Sequence, residues 1–200
     1  FKYDKDKIVD VSKQHDHIQL SVTSGFFRAD KIGDLRYDSR IKYSEDAKFI
    51  YEYMINNKSK YIGFIASSVH NYRKRYAGTS AIQTKDLKID WYDQTVNLSY
   101  SYLLDYAEKN YKDLLQTIQY YIMYDYQWRL SFNFMNLTNF TQEEKLAYLN
   151  KTKELFKRID DKIILEQRLI SPIYKHYALK LKYNDYNKAT NVMIKLFDNK

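Results

Sequence analysis

Two adjacent carboxylates, Glu45 and Asp46, directly follow Ser44 and open a stretch with helical spacing, Ser44 to Asn57. Ser44 is a plausible N-cap, and the first turn behind a cap carries backbone N–H groups without intrahelical partners. Such a position favours an ionised carboxylate. An ionised aspartate at a helix start that faces a cleft can take a proton from a hydroxyl. The same residues are also common at helix starts for stability alone, so the pair acquires chemical meaning only from what surrounds it.

The surroundings are ordered. Thr23-Ser24-Gly25-Phe26-Phe27-Arg28 stands about twenty residues before the pair, and Leu35-Arg36-Tyr37-Asp38-Ser39-Arg40 lies between. Asn71-Tyr72-Arg73-Lys74-Arg75 follows, then Gly78-Thr79-Ser80. Arg73 and Arg75 are suited to phosphate oxygens because a guanidinium presents a planar fork of donors; the alternative is a solvated strand edge. Asp4-Lys5-Asp6 has the letters of an Asp-x-Asp metal motif, but no apolar strand precedes it and lysines flank it. His15-Asp16-His17 reads as a surface loop, since a structural zinc site needs four ligands and no third His or Cys is near.

In this order the segments resemble family 2 glycosyltransferases of the GT-A fold, and most of all the bacterial members that build capsule, teichoic acid or other surface polysaccharides. The resemblance covers roughly residues 17–83. It pairs Ser24-Gly25-Phe26-Phe27 with the family's small-residue and aromatic segment, Tyr37-Asp38 with its "FD" turn, Glu45-Asp46 with its "ED" pair and Tyr72 to Ser80 with its basic and Gly/Ser loop. It implies an inverting transfer in which Asp46 is the general base and Glu45 its neighbour or an acceptor contact. Ser24, Gly25, Phe26, Asp38, Arg73, Arg75 and Ser80 would contact substrate, and His70 is a candidate metal ligand. It also implies a divalent cation (Mn or Mg), a nucleotide-sugar donor and a glycan or polyol-phosphate acceptor. The donor site belongs to an upstream nucleotide-binding half, so this chain is expected to be the acceptor-side half and inactive by itself.

These residues must be positioned by an α+β, predominantly α chain. All four glycines lie at or before Gly78 and the single proline is Pro172, so tight turns are concentrated early. Residues 1–85 are expected to form the acceptor-side part of a GT-A domain, and residues 86–200 a helical bundle region. Ile18 to Ala29 is β-like with a bend at Gly25, and Tyr61 to Tyr76 reads as one or two strands. Ala47, Ile50, Tyr53 and Met54 share one helical face. Later helices are marked by Val96, Tyr100, Leu103, Leu104 and Ala107, and by Leu114, Leu115, Ile118, Tyr121 and Ile122. Thr141 caps a third, with Leu146, Leu149, Phe156 and Ile159 inward. A fourth begins near Lys162 and is kinked or ended near Pro172. Asp125, Trp128 and Arg129 share a face, and Asp125–Arg129 is expected to be an exposed ion pair.

The 200 residues carry a net charge of +8, which suits an anionic membrane face or a phosphate-bearing substrate. Basic and acidic residues are interleaved without a recognition motif, which argues against nucleic acid. No apolar run reaches the ~18 residues needed to span a bilayer. The amino end has no signal-peptide character, so the expected location is cytoplasmic, with peripheral association at the inner face of the membrane. The alternative function is a non-catalytic helical binding or assembly module of a larger surface-polymer synthesis protein.

Overall fold

The computed structural model describes residues 1–71, 88–130 and 137–198. The chain divides into two compact units, Phe1–Ile118 and Gln119–Lys200. The described residues are predominantly helical with one small sheet, the α+β, predominantly α class expected from the sequence.

In the first unit, β1 (Lys7–Asp10) pairs antiparallel with β2 (Tyr61–Phe64), with Val9 opposite Ile62. Helix α1 (Glu45–Asn56) lies between them in sequence. Ala47, Ile50 and Met54 are buried as the spacing predicts, but so are Lys48, Phe49, Tyr51, Glu52 and Ile55. A helix covered on nearly every side is a core helix rather than a surface one. Ser44 holds the cap position with φ 64°, in the left-handed region, and its side chain makes no capping hydrogen bond. The expectation of a side-chain cap is therefore corrected: a side chain can reach the N2 or N3 amide from extended backbone, not from a left-handed turn.

The segment Ile18 to Ala29 is not a strand. A 3₁₀ turn, Val22–Ser24, interrupts extended backbone and a second begins at Ala29; Gly25 N–H closes the first onto the Val22 carbonyl at 2.9 Å. Its hydroxyls bond locally instead: Ser21 Oγ lies 2.8 Å from Thr23 Oγ1, and Ser24 Oγ donates to the Ser21 carbonyl at 3.3 Å. Local Ser/Thr bonding of this kind competes with a sheet ladder. The partner that β2 takes is Lys7–Asp10. Of the strand expected over Tyr61 to Tyr76, Tyr61–Phe64 is observed, and residues 72–76 lie outside the described residues.

Three consecutive helical segments follow: α2 (Ile89–Gln94), a π-helical stretch (Thr95–Ser101) and α3 (Tyr102–Asn110). Val96, Tyr100, Leu103, Leu104 and Ala107 are all buried along them, the face the sequence predicts. Helix α3 packs on α1. A 3₁₀ turn, Lys112–Leu114, leads into α4 (Leu115–Leu130), which buries Ile118, Tyr121 and Ile122.

In the second unit, α5 (Gln142–Lys157) starts with a complete capping box: Thr141 Oγ1 accepts the Glu144 N–H at 3.1 Å, and Glu144 Oε2 accepts the Thr141 N–H at 2.8 Å. Its inward face is Lys145, Tyr148, Thr152, Leu155 and Phe156. Leu146, expected inside, is exposed. Polar anchoring sets this rotation: Tyr126 of α4 places its hydroxyl 2.7 Å from the Tyr148 hydroxyl and donates to Thr152 Oγ1 at 3.2 Å. Burial pushes the Tyr126 hydroxyl up to about 12, so the cluster stays neutral. The ion pair of Asp125 with Arg129, at 3.2 Å, is also not the exposed one expected, because the Arg129 side chain is 1% exposed. Helix α6 (Asp161–Leu165) ends before Pro172, which opens α7 (Pro172–Tyr183) at its first position, where a missing N–H costs nothing. Helix α8 (Tyr186–Asp198) returns against α7.

The capping box satisfies two otherwise unpaired amides, so Thr141→Ala is expected to lower the unfolding free energy by about 1 kcal/mol. Chemical denaturation of the chain measures this. A change within a few tenths would mean that the box contributes nothing beyond water.

Candidate functional site

Asp46 sits one residue inside α1 and is half-buried. Its Oδ2 accepts the Val22 N–H at 3.1 Å and faces Ser21 Oγ at 3.4 Å. The Tyr37 hydroxyl also bonds to Asp46. Three donors from two loops therefore orient one carboxylate at a helix start. The Tyr37 ring stacks on Phe49 with centroids 4.9 Å apart. Burial raises the Tyr37 hydroxyl pKa, and the negative charges of Asp46 and Glu45 raise it further. The Glu45 carboxyl is likewise pushed up, by burial first and by the neighbouring Asp46 charge. One hydroxyl and two carboxylates thus occupy a small, partly desolvated space, as acid–base chemistry requires.

A cavity of about 410 Å³ opens one turn further along the same helix face. Ile50, Tyr53 and Met54 of α1 form one wall, β2 another, and Ser24, Gly25, Phe26 and Phe27 a third. Asp46 is not a lining residue; Ile50, four positions after it on the same face of α1, is. A Cβ at Gly25 would meet the Phe27 ring at 3.2 Å, so any side chain there would press on that ring. That ring is held edge-on between Phe49 (5.7 Å) and Tyr53 (5.2 Å).

The remaining predicted residues are placed as follows. Asp38 does not line the cavity and belongs to a charge cluster. It accepts from Arg40 Nε at 2.8 Å and Nη2 at 2.7 Å, and lies 3.6 Å from Lys48 Nζ. The Arg40 guanidinium, aided by the Arg40 amide and Lys48, holds its carboxyl well below the usual carboxylate range. His70 is exposed in the loop after β2. No group of three or more potential metal ligands occurs among the described residues. Arg73, Arg75 and Ser80 lie outside the described residues.

Sequence reasoning missed Lys48. Its side chain is 7% exposed, bonds to Glu52 Oε1 at 3.0 Å and sits 4.2 Å over the Tyr102 ring. Tyr102 of α3 hydrogen-bonds Glu52, and its hydroxyl pKa is raised by burial and by that contact. The Asp38 turn, α1 and α3 are thereby joined through one buried ammonium. The legible signal was a Lys–Glu pair at i,i+4 within the apolar stretch Ala47 to Ile55. His17 is a further correction: it is buried, with Nδ1 2.8 Å from Asp16 Oδ1 and Phe1 and Phe64 edge-on to its ring, rather than on a surface loop.

Comparison with known proteins adds one relation. A curated protein of teichoic acid biosynthesis matches most of this chain. It is the minor teichoic acid biosynthesis protein GgaB of Bacillus subtilis (strain 168), 29% identical over 184 residues, an alignment that covers 92% of this chain and 20% of that protein. The chain is thus related to a teichoic acid biosynthesis protein and spans about a fifth of its length. No family model matches the sequence, and no solved structure matches it. No helix among the described residues is long and apolar enough to cross a membrane.

Removing one partner from a buried ion cluster strands the others, so Lys48→Met is expected to cost about 3 kcal/mol or more. Adding Glu52→Gln should recover part of that loss, as urea unfolding of the two variants will show. Asp38 titrates lower in the folded than in the unfolded chain, so its contribution is present above pH ~4 and disappears as pH falls through its depressed folded value. Asp38→Asn is expected to lose about 1–2 kcal/mol at pH 7 and to show a shallower stability decline below pH ~4. Parallel acid limbs for the variant and the parent would contradict this.

Proposed function

We propose that this chain is the acceptor-side half of a glycosyltransferase that builds teichoic acid or a related surface polymer, with Asp46 as its general base. The observation that carries the reading is the position of Asp46: a carboxylate at a helix start, oriented by Val22, Ser21 and Tyr37, on the same face of α1 as Ile50, which lines a cavity also walled by Ser24, Gly25 and Phe26. The relation to a teichoic acid biosynthesis protein supports the same reading.

In this proposal an acceptor hydroxyl takes the place of a loop hydroxyl beside Asp46. Its proton passes to the Asp46 carboxylate as its oxygen forms the new bond to the anomeric carbon of a nucleotide sugar. The bond from that carbon to the leaving phosphate oxygen breaks from the opposite face, so configuration inverts. Tyr37 orients the Asp46 carboxylate, and Glu45 keeps the surroundings negative. The donor's diphosphate, its divalent cation and the nucleotide-binding half that holds them would be supplied outside the described site. Where the polypeptide includes them, Arg73 and Arg75 are the basic groups of this chain suited to phosphate. Asp38 acts by holding the Tyr37 turn against α1 through Lys48, so it positions the site rather than touching substrate.

Asp46→Asn retains an oxygen able to accept the Val22 N–H but cannot take a proton. In the full-length protein it is expected to reduce sugar transfer at least ~100-fold, with an unchanged unfolding midpoint. Turnover within a few-fold of the parent would remove Asp46 from the mechanism. It would leave the fold as a non-catalytic module.

A further inference from the structure

The lining of the cavity beside α1 has its own chemistry. Six rings face it, from Tyr3, Phe26, Phe27, Tyr53, Tyr61 and Phe64. Polar groups sit between them: Gln19, Ser24, Ser59 and Ser68. Among the described residues no carboxylate lines it, and Arg28 is the one cation that does. Its charge is offset by Asp30, onto which Arg28 Nε and Nη2 fork at 3.1 and 2.8 Å in an exposed pair.

Each class of ligand can be weighed against this lining. A nucleoside diphosphate or a polyol phosphate needs unspent cations or clustered amides for its charge. A purely aliphatic chain would leave the polar rim groups facing apolar surface at a cost. A neutral pyranose satisfies both sets: one face presents C–H bonds that lie on the negative face of an aromatic ring, and its edge carries hydroxyls for Ser and Gln. The volume, about 410 Å³, falls within the range of small-molecule sites and accommodates one or two sugar rings.

The walls are already ordered. Phe64 is edge-on to Tyr3 at 5.6 Å, and Phe27 to Tyr53 at 5.2 Å. Gln19 Nε2 donates to Ser24 Oγ at 2.8 Å, and Ser68 Oγ donates to the Ile65 carbonyl at 2.8 Å. Both hydroxyl oxygens are thereby oriented and keep lone pairs for an incoming hydroxyl. Phe26 differs from the other rings. It lines the cavity yet is 95% exposed, so its area is not spent on packing among the described residues.

We infer that this cavity is a subsite for an uncharged sugar ring, with Phe26 as its stacking platform, and that the acceptor therefore ends in a neutral pyranose rather than a polyol phosphate. The choice of acceptor rests on the transferase reading above; the binding of sugar by the cavity does not.

The test is saturation-transfer NMR on the 200-residue chain with a panel of neutral hexose and N-acetylhexosamine disaccharides, beside glycerol 3-phosphate and uridine diphosphate. Saturation is expected on the C–H face of one or more disaccharides. Phe26→Ala is expected to weaken that binding about tenfold, and Phe26→Tyr to retain it. Phe26 is exposed, so neither variant should change the melting temperature. No binding of any disaccharide overturns the inference. So does binding that Phe26→Ala leaves unchanged, or displacement of the sugar by glycerol 3-phosphate at equal concentration. Sugar binding with an active Asp46→Asn enzyme would sink the general-base proposal and leave the subsite standing. An inactive Asp46→Asn enzyme with no sugar binding would do the reverse.

Discussion

Lys48 is an ammonium buried in the first turn of a core helix, and it can stay there only because three groups converge on it. Withdrawing such an ion from water costs several kcal/mol even after relaxation. Asp38 at 3.6 Å, Glu52 at 3.0 Å and the Tyr102 ring at 4.2 Å offset that cost together. They come from a loop, from α1 itself and from α3. Satisfying the lysine therefore joins three pieces of chain that hydrophobic burial alone would hold in less defined registers. The Tyr37 ring lies on Phe49 because its neighbour Asp38 is drawn to Lys48, and from there its hydroxyl reaches Asp46. The orientation of the candidate base depends on a cation on the next helical position but one.

The helices were legible because their apolar residues recur at helical spacing. Val96, Tyr100, Leu103, Leu104 and Ala107 are inside as the pattern requires. Thr141 and Glu144 announce a helix start through a purely local reciprocal bond, and the structure forms it. The failures share a different cause. Ile18 to Ala29 has β-type residues, but a strand exists only with a partner, and β2 is taken by Lys7–Asp10. The inward face of α5 turned because Tyr148 and Thr152, which look like surface residues by type, meet the Tyr126 hydroxyl across the second unit. Both outcomes are set by contacts between residues far apart in sequence, which periodicity does not encode.

The candidate site divides along the same line. Its members were visible as types: the acidic pair, the Ser-Gly-Phe-Phe segment and the Tyr-Asp turn. Their grouping was partly visible through the resemblance. Asp38, however, serves the buried lysine rather than the cavity, and the rings of Tyr3, Tyr61 and Phe64 join the site only because β1 and β2 pair. No local feature of Tyr3 or Tyr61 marks them. In both units, buried polar clusters do the same physical work, since an unsatisfied hydroxyl or charge in the interior penalises every alternative packing that breaks it.

The π-helical stretch from Thr95 to Ser101 carries a consequence for how this core is wound. Buried residues along the segment come in pairs: Trp91 and Tyr92, Thr95 and Val96, Ser99 and Tyr100, Leu103 and Leu104, then Ala107. That is a repeat of four, whereas an α-helix turns every 3.6 residues and would carry such a repeat ~40° further round at each step. The wider turns of the π stretch rotate less per residue, so they cancel the drift and keep the pairs on one line. The extra girth is thus a phase correction between sequence and helix. Winding the same seven residues as ordinary α-helix would swing everything beyond them by roughly 70°, carrying Leu103 and Ala107 off α1 and, with them, the Tyr102 ring that covers the buried ammonium.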